Sequence, residues 1–282
     1  MYLHIPAQEA SKGVTGPIRA ELPLCVLGNR ERDGISEFDF PASIEPVLSP
    51  SAVVSDVALV HNSAYQEDVV ESPLPVLLFK VQFEPVFERF RFGADILSRT
   101  SNAVVLVPDF LKGNYVLPEW IPPDTEEKKK QFTRVMSESA NPAANAEVLL
   151  RVVEEAKRRF PSVTAWGGVG LCWGGKVTAL ASGPGTPFAA TGQVHPGLLD
   201  KADAERLTIP HIVLASKDES AQTVADYKTV IASNEKGGHV ETYGTMWHGW
   251  MGTRANLENE DSRNEYARGY GQLAEFFKKY LE

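Results

Sequence analysis

The chain has 282 residues, of which 43% are hydrophobic and 23% charged, as in ordinary globular proteins. Its formal net charge of −9 argues against nucleic acid or an anionic membrane as a partner. The two cysteines, Cys25 and Cys172, exclude a disulfide framework and a cysteine-rich zinc site. No long apolar run and no leader pattern is readable in the sequence. We therefore expect a cytoplasmic protein with reduced thiols.

Residues 1–70 show little periodic pattern. The stretch "NRERDGISEFDFPASIEPVLSPS" has the composition of a loop, whereas "SPSAVVSDVALVHNSA" is compatible with a strand. No internal repeat marks a separate unit. We expect this segment to be part of the same domain as residues 71–282.

Strands and helices alternate from residue 75 onward. A buried strand is predicted in "PVLLFKVQF", a helix in "VFERFRFGADILSR" and a second strand in "NAVVLVPDF". The clearest helix is "NPAANAEVLLRVVEEAKRRF", where Asn141 is a suitable N-cap and Pro142 fits the first helical position.

The second half continues this alternation. Strands are predicted in "SVTAWGGVGL", "FAATGQV", "PHIVLAS" and "HVETYG", and helices in "WGGKVTALAS", "ESAQTVADYKTVIAS" and "ENEDSRNEYARGYGQLAEFFKKYL". The order predicts an α/β protein with a mostly parallel central sheet and helices on both faces. Ligands of such sheets bind at the carboxyl ends of the strands.

Cys172 lies at one such end, between a predicted strand and a predicted helix. Gly170 and Gly174 stand two residues before and after it, where a sharp nucleophile-bearing turn requires small side chains. A helix N-terminus behind the sulfur favours the thiolate, and the backbone N–H of Trp173 can face a developing oxyanion. A lone cysteine is more often buried and inert, but the flanking glycines favour a nucleophile. Cys25 lacks this context and is interpreted as structural.

A cysteine nucleophile needs a base, and His248 follows the last predicted strand in a glycine-containing loop. His195 also follows a strand and is predicted to contact substrate at the rim of the site. Asp218 and Glu219 follow the intervening strand, and Asp218, which comes first, is predicted to orient the base. A charge at a helix N-terminus is the alternative role for Asp218.

Four separated motifs resemble the dienelactone hydrolase family of α/β-hydrolases, especially its fungal members. They are "GGVGLCWGGK", "VVLVPDFLKG", "VLASKDE" and "WHGWMGTRANLENEDSRNEYARGYGQLAEFFKKYL", within roughly residues 92–282. The resemblance implies an α/β-hydrolase fold and ester or lactone hydrolysis by a Cys-Asp-His triad, with no metal or cofactor. The family's nucleophile, acid and base match Cys172, Asp218 and His248.

The sequence departs from the family upstream. Family members have an acidic residue and a Phe-Gly pair after the first core strand, and this loop supplies a second oxyanion N–H. Here the stretch reads "LLFKVQFEPVFERFRFG". Because Pro85 has no N–H, the second donor is predicted to be Phe83, with Glu84 as the alternative.

The resemblance also implies two further substrate-site candidates. Glu84 lies near the position where the family carries an acidic residue that interacts with the resting thiol. Arg254 follows the base and is a candidate to bind a substrate carboxylate. The alternatives are a solvent-facing glutamate at a helix start and an exposed surface arginine.

These observations predict a cysteine-dependent hydrolase of small esters or lactones. The expected partner is the small-molecule substrate, and the expected assembly is a monomer or small homo-oligomer. The alternative is a catalytically impaired α/β-hydrolase that binds a ligand or a partner protein, which the altered upstream loop favours. Acyl transfer to an acceptor other than water would use the same residues.

Overall fold

The computed structural model describes residues 24–26, 51–54, 57–60, 87–101, 103, 105–108, 110–111, 114, 116–120 and 123–281. Phe83, Glu84 and the strand predicted in "PVLLFKVQF" lie outside these residues. The strands are β1 (Leu24–Val26), β2 (Ser51–Val54), β3 (Val57–Val60), β4 (Val105–Pro108), β5 (Gly167–Leu171), β6 (Ala190–Val194), β7 (His211–Ser216) and β8 (Gly238–Tyr243). The α-helices are α1 (Phe87–Ser101), α2 (Glu126–Glu138), α3 (Pro142–Arg159), α4 (Trp173–Leu180), α5 (Lys201–Arg206), α6 (Ala221–Ser233) and α7 (Glu260–Leu281).

Strands β1 to β4 form an antiparallel sheet in chain order. Strands β2 and β3 pair with Val54 opposite Val57, and β3 pairs with β4 with Val60 opposite Val105. The single strand candidate in "SPSAVVSDVALVHNSA" is therefore two strands. Ser55 and Asp56 separate them in the sequence, and both residue types favour turns.

Strands β5 to β8 form a parallel sheet, also in chain order, with α4, α5 and α6 in the connections between them. Side chains alternate between its two faces. Ile212 and Leu214 of β7 join one hydrophobic cluster, whereas Val213 and Ala215 join another on the opposite face. The predicted α/β class, with helices on both faces of a parallel sheet, is confirmed.

Helices α1 and α7 cover one face of the parallel sheet, and their cluster includes Val105 of β4 and Val169 of β5. One hydrophobic core thus contains strands from both sheets. Helix α3 begins as predicted, because the Asn141 side chain accepts a hydrogen bond from the N–H of Ala144. Within the described part of the chain, no helix is both long enough and apolar enough to cross a membrane.

A chain of buried polar groups runs beneath α4. The Gln193 amide nitrogen donates to the Tyr227 hydroxyl and lies 3.0 Å from His211 Nε2. Because an amide nitrogen only donates, His211 Nε2 accepts, and its Nδ1–H donates to Thr191 Oγ1 at 2.8 Å. The Thr191 hydroxyl then meets the Ser182 hydroxyl. Burial lowers the pKa of His211 to about 3, so the ring is neutral.

Candidate active site

Cys172 occupies a sharp turn between β5 and α4. Its φ of 54° and ψ of −120° are sparsely populated by residues that carry a side chain. A Cβ atom on Gly170 would lie 1.8 Å from the carbonyl oxygen of Gly174, so the turn requires glycine at position 170. The turn predicted from these glycines is present, and it holds a half-buried thiol at the carboxyl end of the sheet.

His248 reaches the thiol from the loop after β8. Its Nε2 lies 3.0 Å from the sulfur of Cys172, within hydrogen-bonding distance. The next residue, Gly249, has a φ of 94°, a conformation that glycine adopts without strain. The structure thus brings together Cys172 and the histidine that the sequence singles out.

Two neighbouring carboxylates hold His248, and here the geometry corrects the sequence. Glu219 Oε1 lies 2.7 Å from His248 Nδ1, whereas Asp218 Oδ2 accepts from the backbone N–H of His248 at 2.8 Å. The second carboxylate oxygen of Glu219 accepts from the N–H of Ser216 at the end of β7. The orienting contact predicted for Asp218 therefore belongs to Glu219. The reason is the direction of the turn after β7, which puts the shorter Asp218 side chain against the loop backbone.

The surroundings of His248 favour its charged form. Burial by itself lowers the pKa of His248, but hydrogen bonds to Cys172 and Glu219, together with the charges of these groups, raise the pKa to about 10. The Glu219 side chain is only 5% exposed, so its interaction with the ring is shielded from water. The charged imidazole lies next to the sulfur of Cys172.

The loop after β6 closes over the same site. His195, with a φ of 35°, is buried and packs edge-on against the ring of His248, with 5.1 Å between ring centroids. Gly197 donates its N–H to the carbonyl oxygen of Cys172 at 2.9 Å. His195 thus lies next to His248 rather than at an open rim. Sequence reasoning missed how closely this loop approaches the cysteine.

The other predicted site residues differ in how far they are buried. Trp173 opens α4, and its buried side chain donates from Nε1 to the carbonyl of Ala140 at 2.7 Å. Arg254 is exposed, and its Cδ would lie 3.0 Å from a Cβ atom on Gly249. Its aliphatic part therefore crosses the loop just beyond His248. Phe83 and Glu84 belong to the part of the chain that is not described.

Within the described residues, no group of three or more His, Cys, Asp or Glu side chains has the arrangement of a metal site. Glu219 contacts the ring of His248 and Asp218 its backbone N–H, and the ring lies next to the Cys172 sulfur. The arrangement can form a nucleophile at sulfur and move a proton at His248 Nε2.

Comparison with known proteins places this arrangement in context. The model of the dienelactone hydrolase family matches residues 95–281. An uncharacterized AIM2 family protein of Schizosaccharomyces pombe is 33% identical over 198 residues, which are 69% of this chain and 78% of the relative.

Two solved structures share the fold. A putative dienelactone hydrolase from Klebsiella pneumoniae superposes with a TM-score of 0.61 at 16% identity, covering 82% of this chain and 94% of its own. A dienelactone hydrolase from Anabaena variabilis gives a TM-score of 0.54 at 13% identity, covering 83% and 94%. At these identities the likeness concerns the fold alone.

Proposed function

This chain belongs to the dienelactone hydrolase family, and we propose that it hydrolyses small esters or lactones through an acyl-enzyme on Cys172. The observation that carries the proposal is the 3.0 Å distance between His248 Nε2 and the Cys172 sulfur, on a turn that exposes the sulfur at the end of a parallel sheet. Glu219 orients the imidazole through Nδ1, and Asp218 holds the backbone of the same residue.

In the first half of the reaction, the thiolate attacks the acyl carbon and forms a carbon–sulfur bond. The electron pair moves onto the carbonyl oxygen, towards the N–H of Trp173 at the start of α4. A second donor is assigned to Phe83, as the sequence predicts. When the carbon–oxygen bond to the alcohol breaks, the leaving oxygen takes the proton from His248 Nε2.

In the second half, water releases the acyl group. The acylated sulfur has lost its negative charge, so the contributions of Cys172 that raise the pKa of His248 are gone. Neutral His248 then accepts a proton from water while the water oxygen attacks the thioester carbon. Breaking the carbon–sulfur bond releases the acid and restores the thiolate beside a protonated imidazole.

The proposal is tested by mixing the protein with p-nitrophenyl acetate and with a small lactone. We expect turnover of both, and a transient mass increase of one acetyl group on the peptide that contains Cys172. Cys172→Ala and His248→Ala should each remove most of the turnover. The double variant should be hardly worse than either single variant, because the residues act in one step.

Cys25→Ser is the matched control, because it removes the chain's other thiol and should leave acylation and turnover intact. Acetylation confined to Cys25 would contradict the proposal. A folded protein that hydrolyses neither substrate would favour the alternative, a catalytically impaired hydrolase that binds a ligand or partner. Acyl transfer would be recognised by an ester product when an alcohol is added as acceptor.

A further inference from the structure

Leu198 combines two unfavourable properties for a leucine. Its side chain is 57% exposed, and it is the one exposed large hydrophobic side chain among the residues whose burial the structure describes. Its φ of 59° lies in the left-handed region, which disfavours residues with a branched side chain. Neither property is explained by packing within the described core.

The next residue provides a contrast. Leu199 packs against the hydrophobic cluster that includes Ala204, Leu207 and Val213. Two adjacent leucines therefore differ in what they contact, since one contributes to the core and the other lies at the surface. The loop is thus anchored from within by Leu199, while Leu198 stays outside the core.

The residue before Leu198 lies close to the reacting sulfur. A Cβ atom built on Gly197 would lie 3.4 Å from the Cys172 sulfur and 3.3 Å from the backbone nitrogen of Trp173. The Gly197 N–H is bonded to the Cys172 carbonyl, so the loop is fixed to the turn that carries the nucleophile. Because consecutive Cα atoms are about 3.8 Å apart, Leu198 follows directly beyond this contact.

We propose that Leu198 is a specificity-determining residue that contacts the apolar part of the substrate's acyl group. The inference rests on the proposed function, in which the acyl carbon bonds to the Cys172 sulfur and the alcohol leaves beside His248. The acyl group therefore stays next to the 195–198 loop through both halves of the reaction, and burial of Leu198 against it removes apolar surface from water. The substrate class is an ester or lactone whose acyl part carries a hydrocarbon chain.

The test compares two series of substrates. One series lengthens the acyl chain of p-nitrophenyl esters from acetate to hexanoate, and the other lengthens the alcohol of simple acetates. For Leu198→Gly we expect the ratio of kcat/KM for hexanoate to that for acetate to fall about tenfold, as for a lost apolar contact. The Tm should hold or rise, because glycine adopts this φ without strain.

Leu199→Ala is the matched control in the same loop. It should lower the Tm, because it empties part of a hydrophobic cluster, and leave the hexanoate-to-acetate ratio unchanged. Leu198→Asn is a second variant whose side chain tolerates the left-handed conformation, and it should repeat the loss of chain-length selectivity.

Three outcomes would overturn the assignment of Leu198. They are an unchanged acyl-chain ratio in both Leu198 variants, a change confined to the alcohol series, and a clear fall in Tm for Leu198→Gly. If the unsubstituted protein hydrolyses none of the esters, the result contradicts the proposed function itself rather than the role of Leu198.

Discussion

At His248, two carboxylates that are adjacent in the sequence contact different atoms of the same residue. Glu219 faces the ring nitrogen and Asp218 the backbone N–H. The two substitutions that keep shape and remove charge, Glu219→Gln and Asp218→Asn, should therefore have different effects. An asparagine still offers an oxygen to a backbone N–H, whereas a glutamine no longer supplies the negative charge that favours the imidazolium.

We expect Glu219→Gln to lower kcat at least about 100-fold, in line with the loss seen when a triad carboxylate is neutralised. It should also lower the pKa of His248 from about 10, because the negative charge of Glu219, which raises that pKa, is removed. Asp218→Asn should lower kcat less than about tenfold and leave the pKa near its starting value. Steady-state kinetics and NMR titration of the imidazole measure both quantities. The reverse ranking would make Asp218 the orienting residue.

The sequence predicts a position well where the backbone allows only one residue type. Glycine at position 170 is required by the approach of the Gly174 carbonyl, and this spacing identified Cys172. The choice between Asp218 and Glu219 depends on the direction of a turn, which spacing does not encode. The exposure of Leu198 likewise depends on a loop conformation that residue types alone do not specify.

At the scale of elements, capping and periodicity predicted α3 well, while α2 and α5 lay outside the sequence predictions. Helix α2 consists mostly of charged and polar residues, and Val135 is its one buried residue, so it has no wide apolar face. Its N-cap is Thr125, whose side chain accepts from the N–H of Lys128. Helix α5 has only six residues, too few for a periodic signal.

Helix α7 offers a matched pair of glycines. A Cβ atom on Gly269 would lie 2.5 Å from Met251 Sδ and 2.6 Å from Trp250 Cη2, in the loop that follows His248. A Cβ atom on Gly271, two residues along the same helix, would have nothing within 4 Å. The close approach of Gly269 therefore fixes the helix against the loop that follows His248.

Alanine at the two positions should have opposite effects on stability. Gly271→Ala should raise the free energy of unfolding by about 0.5–1 kcal/mol, because glycine is disfavoured within a helix. Gly269→Ala should lower it by about 1–3 kcal/mol through overpacking, and should lower kcat by displacing the loop of His248. Urea denaturation and ester hydrolysis test the pair. Full activity in Gly269→Ala would show that the loop keeps its position independently of this helix.

At the scale of the whole molecule, the buried polar groups beneath α4 make the stability of the protein depend on pH. Burial lowers the pKa of His211 from 6.5, the value expected in the unfolded chain, to about 3 in the folded protein. Between these two pH values, the unfolded chain therefore binds more protons at this residue than the folded protein does. The contribution of neutral His211 to stability is therefore fully present above pH 6.5 and falls as the pH decreases towards 3. Protonation would also place a hydrogen on Nε2, opposite the donating amide of Gln193.

We expect protonation of His211 to lower the free energy of unfolding by up to about 1.4 kcal/mol for each unit by which the pH falls between 6.5 and 3. The free energy of unfolding, measured with urea between pH 7.5 and 4.5, reports the slope. His211→Gln removes the titrating group, so its slope should be smaller even though its stability at pH 7.5 is lower. Equal slopes in the two proteins would show that other groups govern the acid sensitivity.

Cys172, His248 and the two carboxylates that contact His248 lie on loops of the parallel sheet β5–β8. Strands β1 to β4 form a separate sheet and supply none of these side chains. Substitutions in the earlier sheet therefore reach these side chains only through the shared hydrophobic core, which Val105 of β4 joins. The reacting groups can be retained in one half of the sequence while positions outside that core vary in the other.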